Sequence, residues 1–168
     1  MTHVTRAIAL GTLIVGVLDG ADAVIVTLMR GGSSTRMFQG IAAGWFGREA
    51  ALSGGMVTAA AGVFFHFTIA FGVVAVYACA AAVLPVLRRR PLVYGPLYGL
   101  AVYAFMNLVV IPLSAIGPVQ FSPSVNQVFA HVCLVGIPAA LSVAWLGGWH
   151  DRREMSEDIH ERSSVRQR

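Results

Sequence analysis

Apolar residues along this chain fall into four long runs separated by short polar breaks. The first extends from Ala7 to Met29, between Arg6 and Arg30. The second runs from about Met56 to Leu84, the third from about Gly95 to Ile116 and the fourth from about Gln127 to Trp149. Runs two to four contain no Asp, Glu, Lys or Arg. A helix crosses a hydrocarbon core of about 30 Å with about 20 apolar residues, and every run is long enough. The pattern predicts an all-α integral membrane bundle of four transmembrane helices, over residues 7–29, 56–84, 95–116 and 127–149. These make one membrane domain, 1–149, followed by a charged cytoplasmic tail, 150–168. Pro112 and Pro138 would break a helix in water, but within a bundle neighbouring groups re-satisfy the freed backbone. Ala21-Asp22-Ala23 has the small-residue form of a leader cleavage site. The apolar run continues past it through Val24-Ile25-Val26, so the segment reads as a span.

The break between the first two runs has a pattern of its own. Phe38, Ile41, Ala42, Trp45 and Phe46 recur at helical spacing, while Arg36, Gln39, Arg48 and Glu49 lie mostly off that stripe. A short helix is predicted over about 37–48, either amphipathic on the outer interface or re-entrant. Gly31-Gly32-Ser33-Ser34 and Ser53-Gly54-Gly55 mark its joints.

Composition narrows the class further. The chain has 168 residues, 57% of them hydrophobic and only 12% charged, with a mean hydropathy of +0.72. Soluble domains carry about 25% charged residues, and 20 charges, from 12 basic and 8 acidic residues, would not cover so apolar a protein. Disorder is excluded by the same hydrophobicity, and two cysteines cannot build a disulfide scaffold.

All 12 basic residues are arginine, and they sit at the ends of the runs rather than in a patch. That placement encodes membrane topology, not nucleic-acid binding. With four spans, Arg6, Arg88, Arg89, Arg90, Arg152, Arg153, Arg162, Arg166 and Arg168 fall on one side; Arg30, Arg36 and Arg48 fall on the other. The positive-inside rule then predicts both termini in the cytoplasm. Tyr77, Tyr94, Tyr98, Trp145 and Trp149 lie near that same face, where an aromatic belt belongs.

Asp19 and Asp22 are the only charged residues well inside a span. A carboxylate near the bilayer centre costs about 2.5–3.5 kcal/mol on insertion scales, so such residues face a bundle interior or a wet cavity. Their i, i+3 spacing puts both on one helix face, and Gly16 and Gly20 bracket Asp19 in a G-x-x-x-G pattern that admits close approach. A rise of about 1.5 Å per residue places Asp19 and His66 roughly 16 Å below the outer surface, Asn107 roughly 14 Å, and Asp22 and His131 roughly 7–12 Å. Each span thus carries a polar side chain in its outer half. Asp19, Asp22, His66, Asn107 and His131 form the candidate cluster, expected to open outward.

Carboxyl and imidazole groups move protons, and burial and pairing tune both. The cluster reads as an interhelical hydrogen-bond lock, a proton carrier or pH sensor, or a divalent-metal site. The intramembrane Asp and His residues form no H-x-x-x-H or E-x-x-H pair, so no metal site and no cofactor are expected. His66, in Phe64-Phe65-His66-Phe67, also reads as a satisfied core histidine. Cys79 and Cys133 lie at different depths and are not expected to pair. Gly95 and Gly99 form a second G-x-x-x-G, read as packing. No G-x-S-x-G, C-x-x-C, Walker loop or H-E-x-x-H appears, so the chain reads as non-enzymatic.

Spaced features over about the last two-thirds of the membrane region carry a family resemblance: His66-Phe67-Thr68-Ile69-Ala70-Phe71 with Tyr77, Pro85, Gly95 and Gly99, Pro112-Leu113-Ser114, Phe121, and Ala130-His131. In these the chain resembles the YagU-like family of small bacterial inner-membrane proteins. The resemblance implies a multi-span helical protein of the bacterial inner membrane, of poorly defined activity, linked to acid resistance. It does not extend to Asp19 and Asp22. The expected partners are the lipid bilayer and either a second copy or another membrane protein. The expected role is an acid or pH response through the cluster; a structural or assembly subunit and an oligomeric small-solute transporter are the alternatives.

Overall fold

The structure, a computed structural model, describes residues 2–118 and 124–149; these are helical apart from turns and joints, with no strand among them. Helix α1 (His3–Met29) starts where the Thr2 hydroxyl accepts the Thr5 backbone N–H at 3.2 Å, satisfying a donor that a helix start leaves orphaned. It ends in a glycine cap. Gly31 takes φ 73°, its N–H donating to Leu28 O and that of Gly32 to Thr27 O, both at 2.9 Å. This is the paired bonding of a Schellman stop. The helix therefore begins before Ala7, because caps set helix ends while hydropathy marks only the stretch suited to lipid.

The chain continues through α2 (Ser34–Phe46) and α3 (Arg48–Ser53), separated by Gly47 at φ 80°. Next come α4 (Gly55–Val83), a one-turn α5 (Pro85–Arg89), α6 (Pro91–Leu113) and α7 (Val125–Leu146). Pro85 and Pro91 open their helices, where the missing N–H costs nothing. Helices α1, α4, α6 and α7 are each long and apolar enough to cross a membrane. They alternate in direction, so His3 packs against Gly148, and the Arg88 guanidinium lies 4.6 Å from the Trp149 ring centre. This is the terminal end of the bundle; the other is the α2 end. The tail 150–168 and Phe121 lie outside the described residues.

The packed core fills the terminal half. Val15 of α1 meets Val74, Tyr77 and Ala81 of α4 and Ala139, Ala140 and Val143 of α7. Two tyrosines expected in an aromatic belt belong to this core instead. Tyr77 is 1% exposed and its hydroxyl donates to Leu87 O at 3.0 Å. Tyr98 donates to Val73 O at 2.7 Å, and the two rings meet edge-on at 5.0 Å. A buried phenol needs an acceptor, and α5 folds back to offer one. Trp145 remains exposed.

Helices α6 and α7 pack backbone to backbone. A Cβ on Gly99 would overlap the His131 carbonyl, and one on Gly136 would overlap the Gly95 carbonyl and lie 2.7 Å from Gly99 N. The second G-x-x-x-G is thus a packing surface, completed by Gly136. At Gly16 and Gly20 the approach is different, because side chains rather than backbone fill the space: Phe67 against Gly16 and His66 against Gly20.

Both α6 and α7 contain a widened, π-helical stretch, Met106–Val110 and Ala130–Gly136. Ile111 N–H donates to Met106 O and Ile137 N–H to Val132 O, five residues back. Each stretch stops two residues before a proline, Pro112 or Pro138. A proline ring clashes with the carbonyl four residues earlier in a regular helix and cannot donate; the wider turn relieves both problems.

Helix α2 turns only part of the expected stripe toward the bundle. Its buried face is Gln39, Ala42 and Ala43, whereas Trp45 is 74% exposed and Phe46 is exposed too. Small residues let it lie close on α4, where a Cβ at Gly62 would overlap the Phe38 carbonyl. Gln39 is tolerated inside because its amide donates to Gly55 O at 2.9 Å and reaches the Thr58 hydroxyl at 3.4 Å. Trp45 stacks on Phe65 with ring centres 5.5 Å apart. Arg48–Ser53, expected partly as a joint, is a helix.

Candidate functional site

A cavity of about 590 Å³ occupies the α2 half of the bundle, where the core gives out. Helices α1, α4, α6 and α7 form its walls, and α2 roofs it with Met37, Gly40, Ile41 and Gly44. The Ala115 N–H donates to Gly44 O at 2.9 Å, tying the chain after α6 to that roof. All five residues expected from the sequence, Asp19, Asp22, His66, Asn107 and His131, line this one cavity. Depth along each helix was readable from the sequence; the common facing direction comes from the fold.

Each side chain is placed by its local structure. Asp22 stands one turn after Asp19 on α1, and its Oδ2 accepts the Asn126 side-chain N–H at 3.0 Å. That bond joins α1 to the first turn of α7. His66 Nε2 lies 2.9 Å from the Gly16 carbonyl oxygen. A carbonyl only accepts, so that nitrogen holds the proton and donates. His66 is therefore a satisfied histidine and a cavity residue at once. His131 Nδ1 lies 2.9 Å from Gln127 O, by the same reasoning as donor, and its ring meets Tyr103 edge-on at 5.5 Å. Asn107 donates to Tyr103 O at 2.9 Å within its own helix. Asn107 and His131 both sit in the π-helical stretches, a geometry common at functional sites.

Sequence reasoning passed over Asn126, Arg30, Ser114 and Gln127, which also line the cavity. Asn126 precedes the apolar run and looked like loop; its signal was a place in the first turn of α7 after Ser124. Ser114 donates to Ile111 O at 2.7 Å and accepts from Ile116 N at 3.2 Å, a turn-closing role. A shallow groove of about 350 Å³ lies on the other side of His66, between α1 and α4, with Phe38 and Phe67 in its apolar walls.

Chemically, the cavity sets two carboxylates and two imidazoles beside amides and a guanidinium, against walls of Val, Ile and Met. Among the described residues, no three His, Cys, Asp or Glu side chains converge as a metal site. Cys79 and Cys133 are free thiols. The chain matches no family model, and neither curated proteins nor solved structures give a match.

Proposed function

We propose that this is a bacterial inner-membrane protein, with both termini cytoplasmic, whose cavity takes up protons as the pH of the facing compartment falls. The observation that carries this reading is the convergence of Asp19, Asp22, His66, Asn107 and His131, from all four long helices, on one cavity. Ionisable residues within membrane helices face the interior or water and mark proton paths by default. Arg30 and Gln127 are exposed as well as cavity-lining, which supports a wet mouth at the α2 end. Nine arginines on the side of the termini against three on the other support the orientation. The resemblance to YagU-like proteins, with their link to acid resistance, points the same way.

Two bonds favour a second reading, an interhelical lock: His66 to Gly16 O and Asn126 to Asp22 each tie separate helices. The experiment that separates them is proton uptake by vesicles holding the protein with a trapped pH dye, wild type against Asp19→Asn. Folding retained with the pH response lost fits proton chemistry. An equal response in both rejects it, and loss of folding with the substitution fits the lock.

A further inference from the structure

The cavity has a size that a proton does not need. About 590 Å³ lies within the range of roughly 300–1,000 Å³ typical of small-molecule sites. Asp19 and Asp22 stand together on α1, while Ile69 and Val73 of α4 and Met106 and Val110 of α6 supply apolar surface beside His66 and Asn107 of the same two helices. Met106 and the roof residue Met37 give that surface an adaptable, polarisable character.

Two carboxylates face the cavity from α1; among the described residues the one guanidinium lining it, Arg30, is exposed at its rim. His66 and His131 each donate one ring N–H to a backbone carbonyl. An anion entering would meet the carboxyl groups of Asp19 and Asp22, and like charges repel. A cation would relieve their mutual repulsion. Apart from the histidines, none of the described lining residues is aromatic, so recognition of positive charge falls to the carboxylates. Asp22 uses one of its several lone-pair sites on Asn126, and a carboxylate has about four, so the bond that orients it leaves capacity for a ligand.

We propose that this cavity binds an amphipathic organic cation: a quaternary or protonated amine whose charge meets Asp19 and Asp22 and whose apolar body rests on the α4–α6 wall. The amine can arrive as a free solute or as the choline or ethanolamine headgroup of a bilayer lipid. The site stands whether or not the cavity answers pH, and binding is read at one fixed pH, so either reading can fail alone.

The test uses the full chain in maltoside micelles free of amine-bearing lipid. It is titrated calorimetrically with phenyltrimethylammonium and with benzenesulfonate, similar in size and opposite in charge. The ammonium should bind at least about tenfold more tightly. The Asp19→Asn, Asp22→Asn double variant should lose about tenfold or more in affinity, while Asp19→Glu, which keeps the charge, retains binding. Equal binding of the two probes, or wild-type affinity in the double variant, overturns the proposal. Should the double variant not fold, the comparison of the two probes on the wild type decides. Phosphatidylcholine vesicles that displace the bound ammonium, where phosphatidylglycerol vesicles do not, assign the site to a lipid headgroup. Failure of both to displace it assigns the site to a soluble amine.

Discussion

Adding one methyl group at Gly136 should cost this protein far more than adding one at Gly72. The two glycines lie within long helices, so both substitutions by alanine gain the same intrinsic preference, up to about 1 kcal/mol. Their surroundings differ completely. A Cβ at Gly72 has nothing within 4 Å, whereas one at Gly136 overlaps the Gly95 carbonyl and comes within 2.7 Å of Gly99 N and 2.8 Å of Gly99 Cα. Ordinary contact begins at 3.4 Å, and every atom in the way is backbone, which cannot swing aside. Helices α6 and α7 must part by about 0.7 Å or more, and overpacking of this kind costs about 1–3 kcal/mol. Gly136→Ala should therefore be less stable than Gly72→Ala by about 2 kcal/mol. Unfolding in mixed micelles with increasing dodecyl sulfate, followed by far-ultraviolet circular dichroism, measures the difference. Equal midpoints for the two variants would refute the backbone contact between α6 and α7.

A double-mutant cycle over Asp22→Ala and Asn126→Ala should give a coupling of about 0.6 kcal/mol, with about 1.7 as the ceiling for such bonds in membranes; zero coupling would mean that the pair does not join α1 to α7. Gln39→Ala removes the donor to Gly55 O and Thr58, so it should cost about 1 kcal/mol and speed amide exchange in α2 with little effect on α7. In a background without Cys79 and Cys133, cysteine placed at 19 or 131 should react with a water-soluble thiosulfonate, whereas cysteine at Val74, fully buried in the terminal half, should not. Protection of all three positions would mean a dry bundle. Pro138→Ala lets the π-helical stretch before it close into a regular helix, turning His131 by about 100° relative to the segment after it; cysteine at 131 should then lose its reactivity, and unchanged labelling would show that the proline does not hold the wide turn.

Four long helices were legible because lipid imposes one strong condition, a run of apolar side chains about 20 residues long. The ends were less so. Thr2, Pro91 and Gly31 set boundaries through hydrogen bonding and backbone geometry, which hydropathy does not sense. The inward face of α2 was not legible for a related reason. Burial there follows closeness of approach, so Ala42, Ala43 and a satisfied Gln39 go inside while Trp45 stays out. The polar cluster was legible in depth, since each residue lies a countable distance from a helix end. Its convergence was not, because two π-helical stretches reset the register of α6 and α7 just where Asn107 and His131 sit. The prolines at 112 and 138 were the visible trace of those stretches.

The cavity and its chemistry have separate causes. Glycines at 95, 99 and 136 draw α6 against α7, whereas α6 reaches α4 through the Tyr98 hydroxyl at Val73. Beyond that bond, toward the α2 end, the described residues show no glycine contact between α6 and α4, and both helices line the cavity there. Its shape is thus a consequence of side-chain size in the apolar residues. Its polarity comes from the side chains of Asp19, Asp22, His66, Asn107 and His131; of these only His131 touches the seam, and it does so through its backbone carbonyl. Asp19→Asn should therefore change what the cavity does while leaving it in place, and Gly136→Ala should deform the cavity while leaving every polar residue present. A protein in which the cluster were only glue would respond in the same way to both, since each change would loosen the same bundle.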